Sequence, residues 1–294
     1  SMHPQLVCPK FCLSVCLSDA SREFSTIFHL YFSPSKHRQA SACTMADSEP
    51  CINCLMLVTW PQRRQMIQEA LASFACQTHA NRVLTVVNDG EPCRLSEGFL
   101  ASHRGRVLQV ARGSTIGEKR NVGARAVPAD YVASFDDDDF SLPDRLAAHV
   151  LGIGDGVWLS AGRKYIALQE LGKIIGFEYG RCYGAGMIST DVVKQLEWPH
   201  LNWCEDQRLY EAAKAHDAFS GRRFVESDDL NYVHRRHETN ASKAHRESLW
   251  QGVVPLQLAG PGAMGAPAQV AELLRQHGET VYMEDDAVAP EPGA

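Results

Sequence analysis

The chain has 294 residues, is 45% hydrophobic and carries a formal net charge of −6 with a pI near 6.1. That is enough apolar material for one large or two small cores, and the acidic balance excludes the broad basic field that duplex and membrane-surface binders use. Nucleic acid is therefore not expected as a partner. The 10 cysteines are scattered through a chain long enough to fold without staples, so reduced thiols and a cytoplasmic location are expected. Cys51 and Cys54 form a lone C-x-x-C with no second pair beside it, which reads as small apolar residues leading into a strand rather than as a zinc site. No apolar run approaches the ~20 residues of a membrane helix. Lys10 interrupts "LVCPKFCLSVCLS", and no basic segment precedes it, so a signal peptide fits poorly.

Residues 1–50 show neither helical nor strand periodicity. They are expected to be a disordered or non-native extension, with Ser1-Met2 a cloning remnant and Met45 a candidate natural start. From Cys54 the pattern changes. "CLMLVTW" is a continuous apolar run that predicts a buried strand, ended by Trp60-Pro61. Met66, Ile67, Ala70, Leu71 and Phe74 recur at helical spacing and predict an amphipathic helix. "RVLTVVNDG" is a second strand stopped by a turn signal, "RVLQVA" a third, residues 117–127 a short helix and "YVASF" a fourth strand. This order predicts an α/β core with a mostly parallel sheet.

Behind the fourth strand stand Asp136, Asp137, Asp138 and Asp139. Ser141 with Asp144 resembles a capping box, and Pro143 suits a first helical turn, so a helix is expected just beyond. In the second half, "GVWLSAGRKYIAL" and "KIIGFEY" suggest antiparallel strands, "CEDQRLYEAAKAH" a helix opening on two acids, and "RRFVES" and "LNYVHRR" further strands. The organisation expected is a single domain over 51–255, split into a nucleotide-sugar half (51–140) and an acceptor-side half (141–255). A C-terminal helix near "AQVAELLRQH" and a mobile acidic tail are expected over 256–294.

Like charges in a row repel unless they are solvated or something positive is bound among them. In open parallel sheets ligands bind beyond the carboxyl ends of strands, and polar groups stand at three such ends: Thr59, Asn88-Asp89 and the aspartate run. If the backbone stays extended, period-two alternation sends Asp136 and Asp138 to one side. Oxygen ligands so placed favour Mg²⁺ or Mn²⁺ bridged to substrate phosphates. The plainer reading is a solvated charge cluster, but that needs neither an apolar strand before it nor a helix after it. Phosphate loops offer no rival, since no G-x-G-x-x-G follows the first strand and "GSTIGEK" lacks P-loop spacing.

"LVTWPQRRQMIQEALASFACQT", "LTVVNDG", "GEKRNVGARAVPADYVASFDDDD", "SLPDRL" and "WCEDQRLYEAA" occur in the order and rough spacing of family 2 glycosyltransferases, over about residues 53–242. The resemblance implies a Rossmann-like GT-A fold with a smaller antiparallel acceptor-side region. It further implies metal-dependent, inverting sugar transfer from a nucleoside diphosphate donor, commonly a UDP-sugar. By position, Thr59, Trp60, Arg63, Asp89, Arg120, Asp136 and Asp137 resemble donor-binding residues. Asp136 and Asp138 resemble the D-x-D metal pair, His237 (or His234) resembles a metal histidine supplied by a later strand, and Asp206, with Glu205 beside it, resembles the catalytic base. The sequence departs from the usual pattern at Asn88 and at Trp60-Pro61.

The chemistry also follows from the residues. Breaking a sugar–phosphate bond leaves negative charge on the diphosphate, which a divalent cation stabilises, while a carboxylate opposite can take the proton of an attacking hydroxyl. Helix-start backbone N–H groups favour an ionised Asp206. Each residue has a bland counterpart: a first-turn acid for Asp206, Asp-Gly turn chemistry for Asp89, a solvated helix residue for Arg120, a surface histidine for His237. Trp198 and Trp203 could stack on an acceptor sugar, but core packing is the ordinary use of tryptophan. Two other functions are compatible with an α/β nucleotide site. A sugar-1-phosphate nucleotidyltransferase would carry a glycine-rich basic loop that "TWPQRRQ" lacks, and a non-catalytic nucleotide-sugar-binding protein would bind without turnover. The acceptor is open: a glycan, a lipid-linked sugar or another hydroxyl.

Overall fold

Continuous apolar runs become strands buried on both faces. In the computed structural model β1 (Ile52–Val58), β2 (Arg82–Asn88), β3 (Arg106–Gln109) and β4 (Tyr131–Ser134) lie side by side, all parallel, in the order β3-β2-β1-β4. The structure describes residues 49–93, 95–168, 173–237 and 253–255, within one unit, Ser48–Ala294. The expected N-terminal extension through residue 48, and the helix and acidic tail expected over 256–294, lie outside the described residues.

Helices cover both sheet faces, which is why these strands carry no polar alternation. Cys54, Met56 and Val58 pack with Ile67, Leu71 and Phe74 of α1 (Arg64–Ala75). Leu55 points the other way, into a cluster with Ala124 of α3 (Ile116–Arg125). Full burial of such a side chain is worth about 1.5–3 kcal/mol. Gly123 lets α3 approach closely, since a Cβ there would meet Val87 at 2.8 Å. A short helix, α2 (Glu97–Ser102), capped by Ser96, was not legible beforehand.

The expected capping box at Ser141–Asp144 is not formed. Ser141 lies in β5 (Phe140–Ser141), and Asp144 makes no side-chain cap to α4 (Arg145–Ile153), because the Ser141 hydroxyl accepts instead from Arg145 Nη1. A capping box occurs at Thr115–Glu118, at the start of α3. There it satisfies free backbone N–H groups at the start of the helix that carries Arg120.

The second half is antiparallel where it was expected to be. β6 (Trp158–Leu168) and β7 (Lys173–Ser189) form a long hairpin, and β7 runs antiparallel to β4, extending the sheet as β4-β7-β6-β9-β5. β8 (Phe224–Ser227) and β9 (Tyr232–Arg236) pair parallel with β6, and β10 (Val253–Pro255) pairs with β7. Register shifts between Leu159 and Ala161, and between Ala161 and Arg163, mark bulges in the hairpin. α5 (Thr190–Leu196) and α6 (Glu205–Ala215) close the second apolar cluster around Trp158 and Trp198. Among the described residues no helix is long and apolar enough to cross a membrane.

Candidate active site

Parallel pairing puts the carboxyl ends of β1, β2 and β4 at one edge of the sheet. Beyond that edge lies a cavity of ≈ 420 Å³, within the range of small-molecule sites. Thr59, Arg63, Arg120, Asp136 to Asp139, Glu205, Asp206 and His234 all border it.

The aspartate run does not continue as a strand. A turn occupies Asp137 and Asp138, with the Asp139 N–H directed to the Asp136 carbonyl at 3.4 Å, so the expected alternation is replaced by an arrangement in which each carboxylate has its own partners. Asp136 faces Arg120 Nη2 at 3.9 Å and the Tyr232 hydroxyl at 3.5 Å. Asp137 pairs with Arg63 Nη2 at 3.1 Å, and its buried Oδ2 has no hydrogen-bond partner among the described residues. Asp138 Oδ2 accepts from Arg63 Nη1 and lies 3.0 Å from His237 Nε2.

Asp139 is fully engaged. Its oxygens accept from the Tyr232 hydroxyl and from the Arg235 N–H at 2.7 Å, and His234 Nδ1 lies 3.1 Å away. Burial alone would raise its pKa, but His234, the Tyr232 hydroxyl and the Arg235 N–H together hold it below the usual value. The opposite holds at the start of the run. Burial, then Asp139, Asp138 and Asp206, pushes Asp136 up to about 7 against the pull of Arg120. Burial and then Asp138 hold Asp137 well above the usual carboxylate range. Both shifts run in the direction expected where buried carboxyls outnumber the cations beside them.

The helix-start acids face the run across Arg120. This buried guanidinium lies 3.1 Å from Asp206 Oδ2 and 3.4 Å from Glu205 Oε1, and it donates to the Ser134 hydroxyl. Asp206 Oδ1 accepts from Trp198 Nε1 at 2.8 Å, so the indole orients the carboxylate. Burial and then Asp206 raise the pKa of Glu205. The wall opposite comes close at Gly184, where a Cβ would lie 3.3 Å from Asp206 Oδ2 and 3.9 Å from both Arg120 and Asp136. The loop before α6 is clamped to α3. Asn121 and Trp198 exchange two hydrogen bonds, of 2.7 and 2.8 Å, and a Cβ on Gly117 would overlap the Pro199 carbonyl at 1.9 Å.

The remaining expected residues sit farther back. Asp89 is buried and reaches the cavity only through its neighbours: its Oδ1 accepts from the Thr59 hydroxyl at 2.7 Å and pairs with Lys119 at 3.2 Å. Trp60 does not border the cavity. It is a core residue whose N–H donates to the Asn88 side chain at 3.0 Å, held there because its indole packs in the α1 cluster. His237 is buried behind Asp138 rather than exposed. Trp198 packs in the core as expected, whereas Trp203 is 68% exposed at the cavity border, so core packing does not describe it.

Lys119, Lys164, Arg181 and Tyr232 were missed. Tyr232 could have been found, because it shares one face of β9 with His234 by period-two alternation. Lys119 stands next to Arg120 in "EKRN" and was overlooked in its favour. Lys164 and Arg181 depend on the register of the β6–β7 hairpin, for which the sequence carries no signal.

A divalent cation was expected here. Among the described residues no group of three or more His, Cys, Asp or Glu side chains converges as a ready-made metal cage. Asp138 and His237 nevertheless offer one oxygen and one nitrogen donor, and Asp137, next in the chain, has a buried Oδ2 with no hydrogen-bond partner among the described residues. This set fits a cation that takes its other ligands from a diphosphate and water, as Mg²⁺ and Mn²⁺ commonly do.

The chain has no match among curated proteins. Its residues 57–170 match the family described as Glycosyl transferase family 2. Among solved structures, TarS of S. aureus is 17% identical, with a TM-score of 0.47 over 78% of this chain and 44% of that one. A form of TarS comprising residues 1–349, solved with UDP-GlcNAc, is 18% identical, with a TM-score of 0.46 over 65% of this chain and 60% of that one. The mannosyltransferase PcManGT of Pyrobaculum calidifontis, solved with GDP-Man and Mn²⁺, is 14% identical, with a TM-score of 0.50 over 80% of this chain and 76% of that one. The chain thus spans under half the length of full TarS. The residues that match that family lie in a mixed α/β sheet that shares the fold of the mannosyltransferase, of the GT-A type.

Proposed function

We propose that this protein transfers a sugar from a nucleoside diphosphate sugar, a UDP-sugar in the first instance, to an acceptor hydroxyl with inversion at the anomeric carbon. The observation that carries this reading is the facing of two acidic groups across one cavity, with Arg120 between Asp136 and Asp206. The family match supports the reaction class, and GDP-Man and Mn²⁺ in the mannosyltransferase of like fold are in keeping with a nucleotide-sugar donor and a divalent cation.

Thr59, held by Asp89, and Lys119 frame the end of the cavity nearest β1 and β2, where the nucleoside would lie. Asp138 and His237 would hold Mn²⁺ or Mg²⁺, and such a cation supplies charge stabilisation for the departing diphosphate. Asp206 accepts the proton of the attacking hydroxyl. The Trp198 N–H and Arg120 occupy two of its roughly four acceptor positions, leaving others to face the cavity. Arg120 anchors Asp206 at a fixed distance from the donor acids, so base and leaving group are held in one frame. The free thiols of Cys51, Cys54, Cys76, Cys93, Cys182 and Cys204 are in keeping with a reducing compartment such as the cytoplasm.

The test is incubation with Mn²⁺ and a panel of UDP- and GDP-sugars, scored for release of nucleoside diphosphate. Turnover lost on adding EDTA is the expected outcome. Pyrophosphate as the product, or donor binding with no turnover in the presence of a broad set of glycoside acceptors, would overturn the reading.

A further inference from the structure

Arg63 is the residue whose placement the donor-site reading leaves least explained. It stands at the N-cap of α1 with left-handed backbone (φ 59°, ψ 29°) and makes no capping bond with its side chain. Bulky residues rarely adopt this conformation, which glycine takes freely. A side chain is nevertheless present, and it is spent on the acids: Nη2 lies 3.1 Å from Asp137 Oδ1, and Nη1 donates to Asp138 Oδ2. That Asp138 oxygen is the one His237 Nε2 approaches at 3.0 Å. The side chains of Asp137 and Asp138 are 4% and 12% exposed and that of Arg63 is 24% exposed, so the guanidinium lies on the cavity side of both acids.

We propose that Arg63 is a resident counter-cation, seated across Asp137 and Asp138 where a divalent cation binds, so that metal entry requires the guanidinium to leave. The planar fork of arginine bridges two carboxylates in a way that a single ammonium does not. The same fork suits a diphosphate, which gives the displaced side chain a partner only when donor is present. Metal and donor then bind cooperatively, each strengthening the other by the same factor. The ligand-free protein avoids the repulsion of a bare aspartate run and remains a poor metal binder until a nucleotide arrives. This inference rests on the donor-site reading, and its test separates the two.

Mn²⁺ is titrated by calorimetry into the full chain as wild type, R63Q and R63K, each with and without UDP. If Arg63 closes the site about nine-tenths of the time, wild type binds Mn²⁺ alone about tenfold more weakly than R63Q. UDP should narrow that gap by tightening wild type more than R63Q. R63K, which keeps the charge but cannot bridge both acids, should fall between them. Mn²⁺ binding by R63Q no tighter than by wild type overturns the proposal, and so does an R63K equal to wild type, since general charge rather than bridging would then be at work. If R63Q also fails to bind Mn²⁺ with UDP present, the metal reading itself falls. Equal binding by all three variants sinks Arg63 alone.

Discussion

Asp136 and Asp139 stand at opposite ends of one run of identical residues, yet they are different chemical objects. Asp139 is buried and satisfied by a hydroxyl, an imidazole and a backbone N–H, and it ties β9 to the turn after β4. Asp136 has about a third of its side chain exposed and shares one guanidinium with Glu205 and Asp206. A carboxylate that owns its donors is architecture, and one that shares a cation across a cavity is available for chemistry.

The widest expected effect lies on the shared side. D206N should lower the rate of donor consumption by about 10²–10⁴, the usual worth of a general base, while UDP affinity measured by calorimetry stays near wild type. Full activity in D206N would move the base elsewhere. Next is Arg120, whose loss leaves Asp136, Glu205 and Asp206 without their common cation. R120M should lose about 3–5 kcal/mol in urea unfolding, as expected when one partner of a buried ion pair is removed. An R120M as stable as wild type would show that the three acids find another counter-ion.

On the satisfied side, D139N should lose about 1–3 kcal/mol, the ordinary result of disturbing a buried hydrogen-bonded group, and should bind Mn²⁺ as wild type does. D138N should instead lose metal uptake. The two ends should also differ in pH dependence, read as urea midpoints in EDTA from about pH 3 to about pH 8. Asp136, raised from 3.8 to about 7, binds a proton in the native state that the unfolded chain has already released. Its contribution is complete below 3.8 and disappears as pH rises through about 7, so D136N should remove a decline across that window. Asp139 is lowered from the same 3.8, so its contribution is present above that value and is lost in more acid solution. D139N should flatten that acid limb. Identical profiles for the two variants would erase the distinction between the ends of the run.

Much of this could be read from the chain before folding. Ile67, Leu71 and Phe74 announced α1 by their spacing, the parallel strands by their unbroken apolar runs, and the nearness of Thr59, Asp136 and Asp206 through motif order and the family resemblance. Other features were hidden because nothing local encodes them. The capping box looked plausible at Ser141 and formed at Thr115, since strand pairing with β9 claimed Ser141 first. Trp60 belonged to the core, while Trp203, of the same residue type, stayed exposed. Arg63 borders the cavity as a donor-site residue would, but its partners there, Asp137 and Asp138, could not be read from spacing.

The sequence by itself determined which strands are buried, which run parallel and where acidity is concentrated, because periodicity and chain order are properties of neighbouring residues. Only the tertiary structure decided which aspartate is neutralised and by what, because the partners come from α1, α3 and β9. Hydrogen bonds and ion pairs reach only a few ångströms, and no spacing along the chain reveals which distant donors the fold brings within that reach.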